Sequence, residues 1–264
     1  MRRPVRCQGR SKPGGDPDVV GPLERRSDRY PLVVARNDAP VPPRLPDQLD
    51  TGGAPGSLGD DTSWSDSLLD GPVIPGSAGG LELARCRVRN AQWTSSHLVS
   101  LQLRDVVIEH SDLSGAILEQ ATLTRVRVNE CRLSGVELAR SSFRDVLVVG
   151  SRLDQANLRM CHFERVTFDG VDLQAADFTG TTFAKCRLFD CNLTGADFSK
   201  VKAEGARLHG SVLEGIKGAD SLRGVVIDST QMVPLGVRLL ATMAIAVDDQ
   251  REPEPPRRER RPGR

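Results

Sequence analysis

The chain has 264 residues, 38% of them hydrophobic and 27% charged, and its 36 Lys and Arg against 35 Asp and Glu leave a net charge of +1. A balance so close to neutral excludes the strong one-sign field that steers proteins onto nucleic acid. No apolar stretch reaches the roughly 18 residues that would span a bilayer, and Arg2-Arg3 is not followed by an apolar signal segment. The expectation is therefore a soluble, cytoplasmic protein with no membrane and no nucleic-acid partner.

The first segment, residues 1–80, holds 12 of the 17 prolines and 12 of the 25 glycines, including Pro42-Pro43, Gly52-Gly53 and Gly79-Gly80. With few spaced apolar residues it cannot bury enough surface to order itself, so it is predicted to be a disordered arm. Its charge is polarised: residues 1–44 carry ten basic and five acidic residues, whereas residues 45–80 carry six Asp and no base. If any of the arm packs, Trp64 and Leu68-Leu69 are best placed to cover the open edge of the segment that begins at Leu81.

From Leu81 to Val233 there is no proline, as expected where every backbone N–H is needed in a ladder. Stepping by five from Leu83 through Val88, Trp93, Leu98 and Leu103 to Leu213 gives 27 positions, all apolar: 15 Leu, six Phe, three Val, one Ile, one Trp and one Ala. A second row two residues earlier, from Leu81 and Cys86 to Ala206 and Ser211, holds only Ala, Val, Ser, Cys, Thr or Leu at its 27 positions. A period of five fits neither helix nor flat strand. It fits a chain that turns a corner every five residues with two of the five inward, four sides making a coil. Such coils stack at about 4.8 Å, so the rod is roughly 32 Å long. Phe143, Phe163 and Phe183 then lie on one side and Phe178 and Phe198 on another, in ladders.

Runs such as Ala176-Asp177-Phe178-Thr179-Gly180 and Cys191-Asn192-Leu193-Thr194-Gly195-Ala196-Asp197-Phe198 resemble the pentapeptide-repeat family. The resemblance implies an all-β fold, a right-handed quadrilateral parallel β-helix, over residues 81–228. Leu222 and Ile227 keep the spacing of five but sit one residue out of register with Leu213, which predicts a slipped terminal coil.

Little in the rod points to catalysis. Cys86, Cys131, Cys161, Cys186 and Cys191 all occupy the small inward row, where they act as small hydrophobes, and the spacing of Cys186 and Cys191 puts them on successive sides. His97, His110, His162 and His209 fall outside both inward rows and do not converge on a Cys or on one another. A filled interior leaves no cleft for substrate, so no enzyme, cofactor or metal is expected. The resemblance brings one functional precedent: gyrase-protecting members whose acidic rod imitates duplex DNA. Residues 81–215 carry 17 basic and 17 acidic residues, so a non-catalytic protein-interaction or scaffolding role is the leading expectation and gyrase-directed DNA mimicry the alternative. On the outward side, Val107, Leu147, Val149 and Phe189 form a candidate patch for an unidentified protein partner.

Residues 229–247 are predicted to be a helical cap, helical from Pro234 to Val247. Any of Asp228, Ser229 and Thr230 can start it, Pro234 suits its first turn, and beyond Leu235 only Arg238 and Thr242 are polar before Val247. A helix so apolar must be buried on more than one face. Leu235, Leu239, Leu240 and Met243 are the candidate dimer cap, since some members of the family that the rod resembles pair end to end, and a homodimer is expected. Residues 248–264, charged and Pro-rich, are predicted to be a disordered tail.

Overall fold

The computed structural model describes residues 38–51, 61–71 and 77–246. The disorder expected of residues 1–37, 52–60, 72–76 and 248–264 lies outside these. The described chain is a parallel solenoid. Its strands are β1 (Ser63–Ser65), β2 (Leu68–Asp70), β3 (Glu82–Ala84), β4 (Arg87–Arg89), β5 (Gln102–Glu109), β6 (Thr122–Asn129), β7 (Ser142–Val149), β8 (His162–Asp169), β9 (Thr182–Ala184) and β10 (Arg187–Phe189). All pair in parallel, and from β3 upward the register advances by 20: Leu83 faces Leu103, Leu103 faces Leu123 and Phe143 faces Phe163. β5 to β8 run across two walls, centred on Leu103 and Ile108 and their equivalents. The other two walls, centred on Leu113 and Leu118, are joined coil to coil by single parallel bridges such as Asp112 to Arg132 and Ile117 to Glu137.

All 54 residues of the two inward rows are buried. The corners explain the period. Every fifth residue from Arg85 to Gly215 has a positive φ, and only nine of these 27 are glycine. A left-handed residue turns the chain from one wall to the next, so the pentad is four extended or turn residues plus one left-handed corner. On the two bridged walls the first residue of the pentad fixes the turn: Asp112, Asp177 and Asp197 accept the amide N–H two residues on at 2.8–2.9 Å, as Asx turns do. Hydroxyls in the small row link coils. Ser111, Ser141, Ser151 and Ser211 accept the N–H of the residue one coil earlier at 2.9–3.1 Å, which is why polar residues are tolerated there.

The aromatic ladders form in two geometries. Phe178 and Phe198 stack face to face at 5.1 Å and 10°, while Phe163 meets Phe143 and Phe183 edge-on at 4.8 and 5.2 Å. Between Trp93 and Phe168, where Leu and Val replace Phe, the interior keeps a cavity of about 50 Å³ lined by apolar side chains.

The N-terminal boundary expected at Leu81 is corrected. β1 and β2 pair with β3 and β4 in a register of 19, Trp64 facing Leu83 and Leu69 facing Val88. Ala78 and Leu69 are buried. Residues 61–71 and 77–80 thus belong to a further coil. They need no core of their own, because the first regular coil supplies the ladder and the apolar surface. At the other end Arg207 bridges Val226, again a register of 19, which is the slipped coil. The helix α1 (Met232–Thr242) is shorter than expected, beginning two residues earlier and ending before Met243. Its start is organised by a 3-10 turn at Ser229–Gln231, in which Asp228 accepts from Thr230 N and Gln231 Oε1 accepts from Asp228 N at 3.0 Å.

Candidate interaction surface

The corner between the two strand walls carries a column of charge. Upward from the first coil it reads Asp66, Arg85, Asp105, Arg125, Asp145, Arg165, Lys185, one residue per coil. The charges neutralise one another in pairs. Arg85 holds Asp66 at 2.6 Å through two nitrogens, Arg125 holds Asp105 likewise at 2.6 Å, and Arg165 holds Asp145 at 2.7 and 2.9 Å. Asp105 and Asp145 are each only 5% exposed. Hydrogen bonds from their arginines hold both carboxyls below the usual range against the opposing effect of burial.

Each of these two carboxylates has a second donor. Arg44 N donates to Asp105 Oδ1 at 3.0 Å, and Val41 N donates to Asp145 Oδ1 at 3.2 Å. Farther up, Asp38 lies 3.9 Å from Lys185; farther down, Asp50 N donates to Asp66 O at 2.8 Å. Residues 38–50 therefore run down the corner as a strap, antiparallel to the direction in which the coils stack. This corrects the expectation of disorder for that segment. Its four prolines, Pro40, Pro42, Pro43 and Pro46, suit an extended chain that makes no ladder of its own.

Of the predicted patch, Val107 points outward from its wall yet is 7% exposed. It stands in the ladder between Arg87 and Arg127, whose long side-chain stems can cover an apolar neighbour. Leu147, Val149 and Phe189 are half-buried. The four do not make one surface: Arg127 lies between Val107 and Leu147 in the ladder, and Asp169 between Val149 and Phe189. The sequence pattern found the wall but not what covers it. His209 departs from expectation too. Although outside the inward rows it is buried at 7%, against the edge of Phe189 at 6.0 Å.

At the C-terminal end the four cap residues divide. Leu235 and Leu239 pack on the core, whereas Leu240 and Met243 face out. Val233, Val237 and Leu240, at helical spacing, form an exposed stripe flanked by Met232 and Met243. Gln231, which the sequence did not single out, is the plug. It is 3% exposed, and its Nε2 donates to the carbonyls of Leu208 and, at 2.6 Å, Ser211. Those are carbonyls of the last full coil; Leu208 O also accepts from Ser211 N.

Residues 121–198 match the family described as pentapeptide repeat region, and residues 102–139 the family described as pentapeptide repeats (8 copies). Residues 102–198 are thus a pentapeptide-repeat region. Among solved structures, a pentapeptide repeat protein of the Arabidopsis thaliana thylakoid lumen is 30% identical, over 34% of this chain and 63% of its own, with a TM-score of 0.33. The chain thus spans less than two thirds of that relative. HetL, involved in heterocyst differentiation regulation in the cyanobacterium Nostoc, is 18% identical over 66% of this chain and 90% of its own (TM-score 0.31). Full-length QnrB1, a plasmid-mediated fluoroquinolone resistance protein, is 16% identical over 70% and 99% (TM-score 0.37). No curated protein matches.

Within this pentapeptide-repeat rod the thiols are chemically quiet. Burial pushes Cys131 up to about 11 and Cys161, Cys186 and Cys191 up to about 12, so at neutral pH they stay protonated and weakly nucleophilic. Cys161 is buried and its neighbour His162 exposed. Among the described residues no three His, Cys, Asp or Glu side chains gather as a metal set, and no helix is long and apolar enough to cross a membrane.

Proposed function

We propose that this pentapeptide-repeat protein is a non-catalytic protein-binding scaffold, a homodimer joined through the outer face of α1. The observation that carries the binding reading is the strapped corner. Its charges alternate and neutralise one another, and the wall beside it holds an extended peptide segment by main-chain hydrogen bonds. A surface of this kind recognises protein chain. The same neutralisation argues against imitation of a phosphate backbone, which needs a continuous negative field. Five buried free thiols suit a reducing, cytoplasmic compartment.

Two measurements test the reading. Purified DNA gyrase should supercoil DNA at an unchanged rate in the presence of micromolar chain, and inhibition or drug protection would favour mimicry instead. Light scattering on the full chain should give twice the chain mass. Val237→Glu with Leu240→Glu should halve it, because two charges would enter the apolar contact. A monomer for the unaltered chain at high micromolar concentration would remove the dimer.

A further inference from the structure

We infer that the strapped corner is a docking groove for an extended, proline-containing segment of a partner protein, acidic at its N-terminal end, which residues 38–50 of this chain occupy in its absence. The inference rests on the binding reading above and gives the partner a chemistry. Three observations carry it.

The first is a match of repeats. Acceptors recur on the corner every second coil, at Asp105 and Asp145, a rise of about 9.6 Å at strand spacing. The strap presents donors every third residue, at Val41 and Arg44, and three residues of a polyproline II chain rise about 9.3 Å. Lys185, two coils above Asp145, meets Asp38, three residues before Val41. Burial follows the same spacing in part: Pro40, Pro43, Pro46 and Leu49 are half-buried, as are Asp38 and Leu45 off that spacing, while Val41, Pro42, Arg44 and Asp47 are exposed. From Asp38 to Arg44 a three-residue spacing thus keeps step with the two-coil repeat; below Arg44 the chain bends at Asp47 and Gln48 and reaches Asp66 only at Asp50.

The second is that the resident segment fits imperfectly at its upper end. Thr167 and Arg187 face each other on adjacent rungs and are 8% and 9% exposed. Among the described residues Thr167 Oγ1 and Arg187 Nη2 have no hydrogen-bond partner. A buried guanidinium nitrogen beside a buried hydroxyl is a site for a carboxylate. Asp38 turns instead to Lys185 and stays at the long end of ion-pair range. A segment whose acid reached Arg187 would make bonds that the strap leaves unmade.

The third is that the strap is lightly held. From Asp38 to Arg44 it is tied through the Val41 and Arg44 amides to Asp145 and Asp105, and it joins the ladder edge through Asp50, next to Asp66 and Leu68. Hence it can be displaced without opening the solenoid.

The test uses the full chain and, as probe, a fluorescent synthetic peptide of residues 38–50. Val41→Pro with Arg44→Pro in the chain removes both strap donors without touching the groove. By fluorescence anisotropy this variant should bind the probe at least about ten-fold more tightly than the unaltered chain, the worth of two hydrogen bonds to charged groups. Carried on the peptide instead, the same two prolines should weaken binding to the loosened chain by a similar factor. Asp38→Lys on the peptide should weaken it too, since it would face Lys185 and Arg187. These peptide variants do not depend on the rod tolerating further change. Equal binding of either altered peptide, or of the probe to both chains, would overturn the inference. So would a dimer that dissociates on Val41→Pro with Arg44→Pro, because the groove would then belong to a second copy's strap. Failure here would leave the supercoiling measurement, and with it the scaffold reading, standing.

Discussion

At the scale of the residue, the pentad has three distinct demands, and they differ in how plainly they show in sequence. The two inward positions demand size and apolarity, so their rows are unbroken from residue 81 to 213. The corner demands only a left-handed backbone, and 18 of its 27 residues are not glycine. These include Met160, Arg140 and Lys200; all nine glycines of residues 81–215 stand at corners, but the charged corners carry no such mark. Asp105, Asp145, Arg125 and Arg165 were therefore invisible as a group although they share one corner. Strain at this position can be tested where nothing else changes. Gly170 has a φ of +61° and no heavy atom within 4 Å of an added Cβ. Gly170→Ala should cost about 1–2 kcal/mol from left-handed strain alone, measured by denaturant unfolding. Met160→Gly, at an exposed corner, should lose nothing by the same measure.

At the scale of the element, the ends of the solenoid are where free backbone groups must be satisfied. Gln231 accepts from Asp228 N and donates to two carbonyls of the last coil. Gln231→Ala should cost about 1–3 kcal/mol by leaving buried acceptors unpaired. Exposed Ser229→Ala, one turn position away, should cost less than about 0.5 kcal/mol. The strap is a second element with its own signature. Asp105 and Asp145 have folded pKa values below their unfolded values. Their contribution is therefore present above the unfolded value of about 3.9 and is lost as pH falls through the folded one. On acidification below about pH 4, amide exchange at Val41 and Arg44 should accelerate while coil amides such as those of β6 stay protected. Uniform loss of protection would mean that the strap is not held by these carboxylates.

At the scale of the molecule, each coil touches only its neighbours, and so stability is a sum of repeated interfaces. For that reason the sequence by itself determined the rod: its period, the number of sides, both inward rows, the stacked Phe positions, the quiet thiols, the slipped coil near Leu222 and the apolar cap. All of these follow from contacts at fixed separations of five and 20 residues, which repeat and so can be recognised. The tertiary structure alone decided the rest. Val41 meets Asp145 and Arg44 meets Asp105 across separations of 104 and 61 residues that occur once each. A Pro-rich segment with no core-forming period looks disordered until the wall it lies on is in place. The same holds for β1 and β2, whose register of 19 breaks the period of five that the search for repeats depends on. Gln231 likewise has its role only because the last full coil ends beneath it. What repeats along the chain is legible in the chain, whereas what closes, straps or covers the repeat is made by single long-range contacts that no local pattern announces.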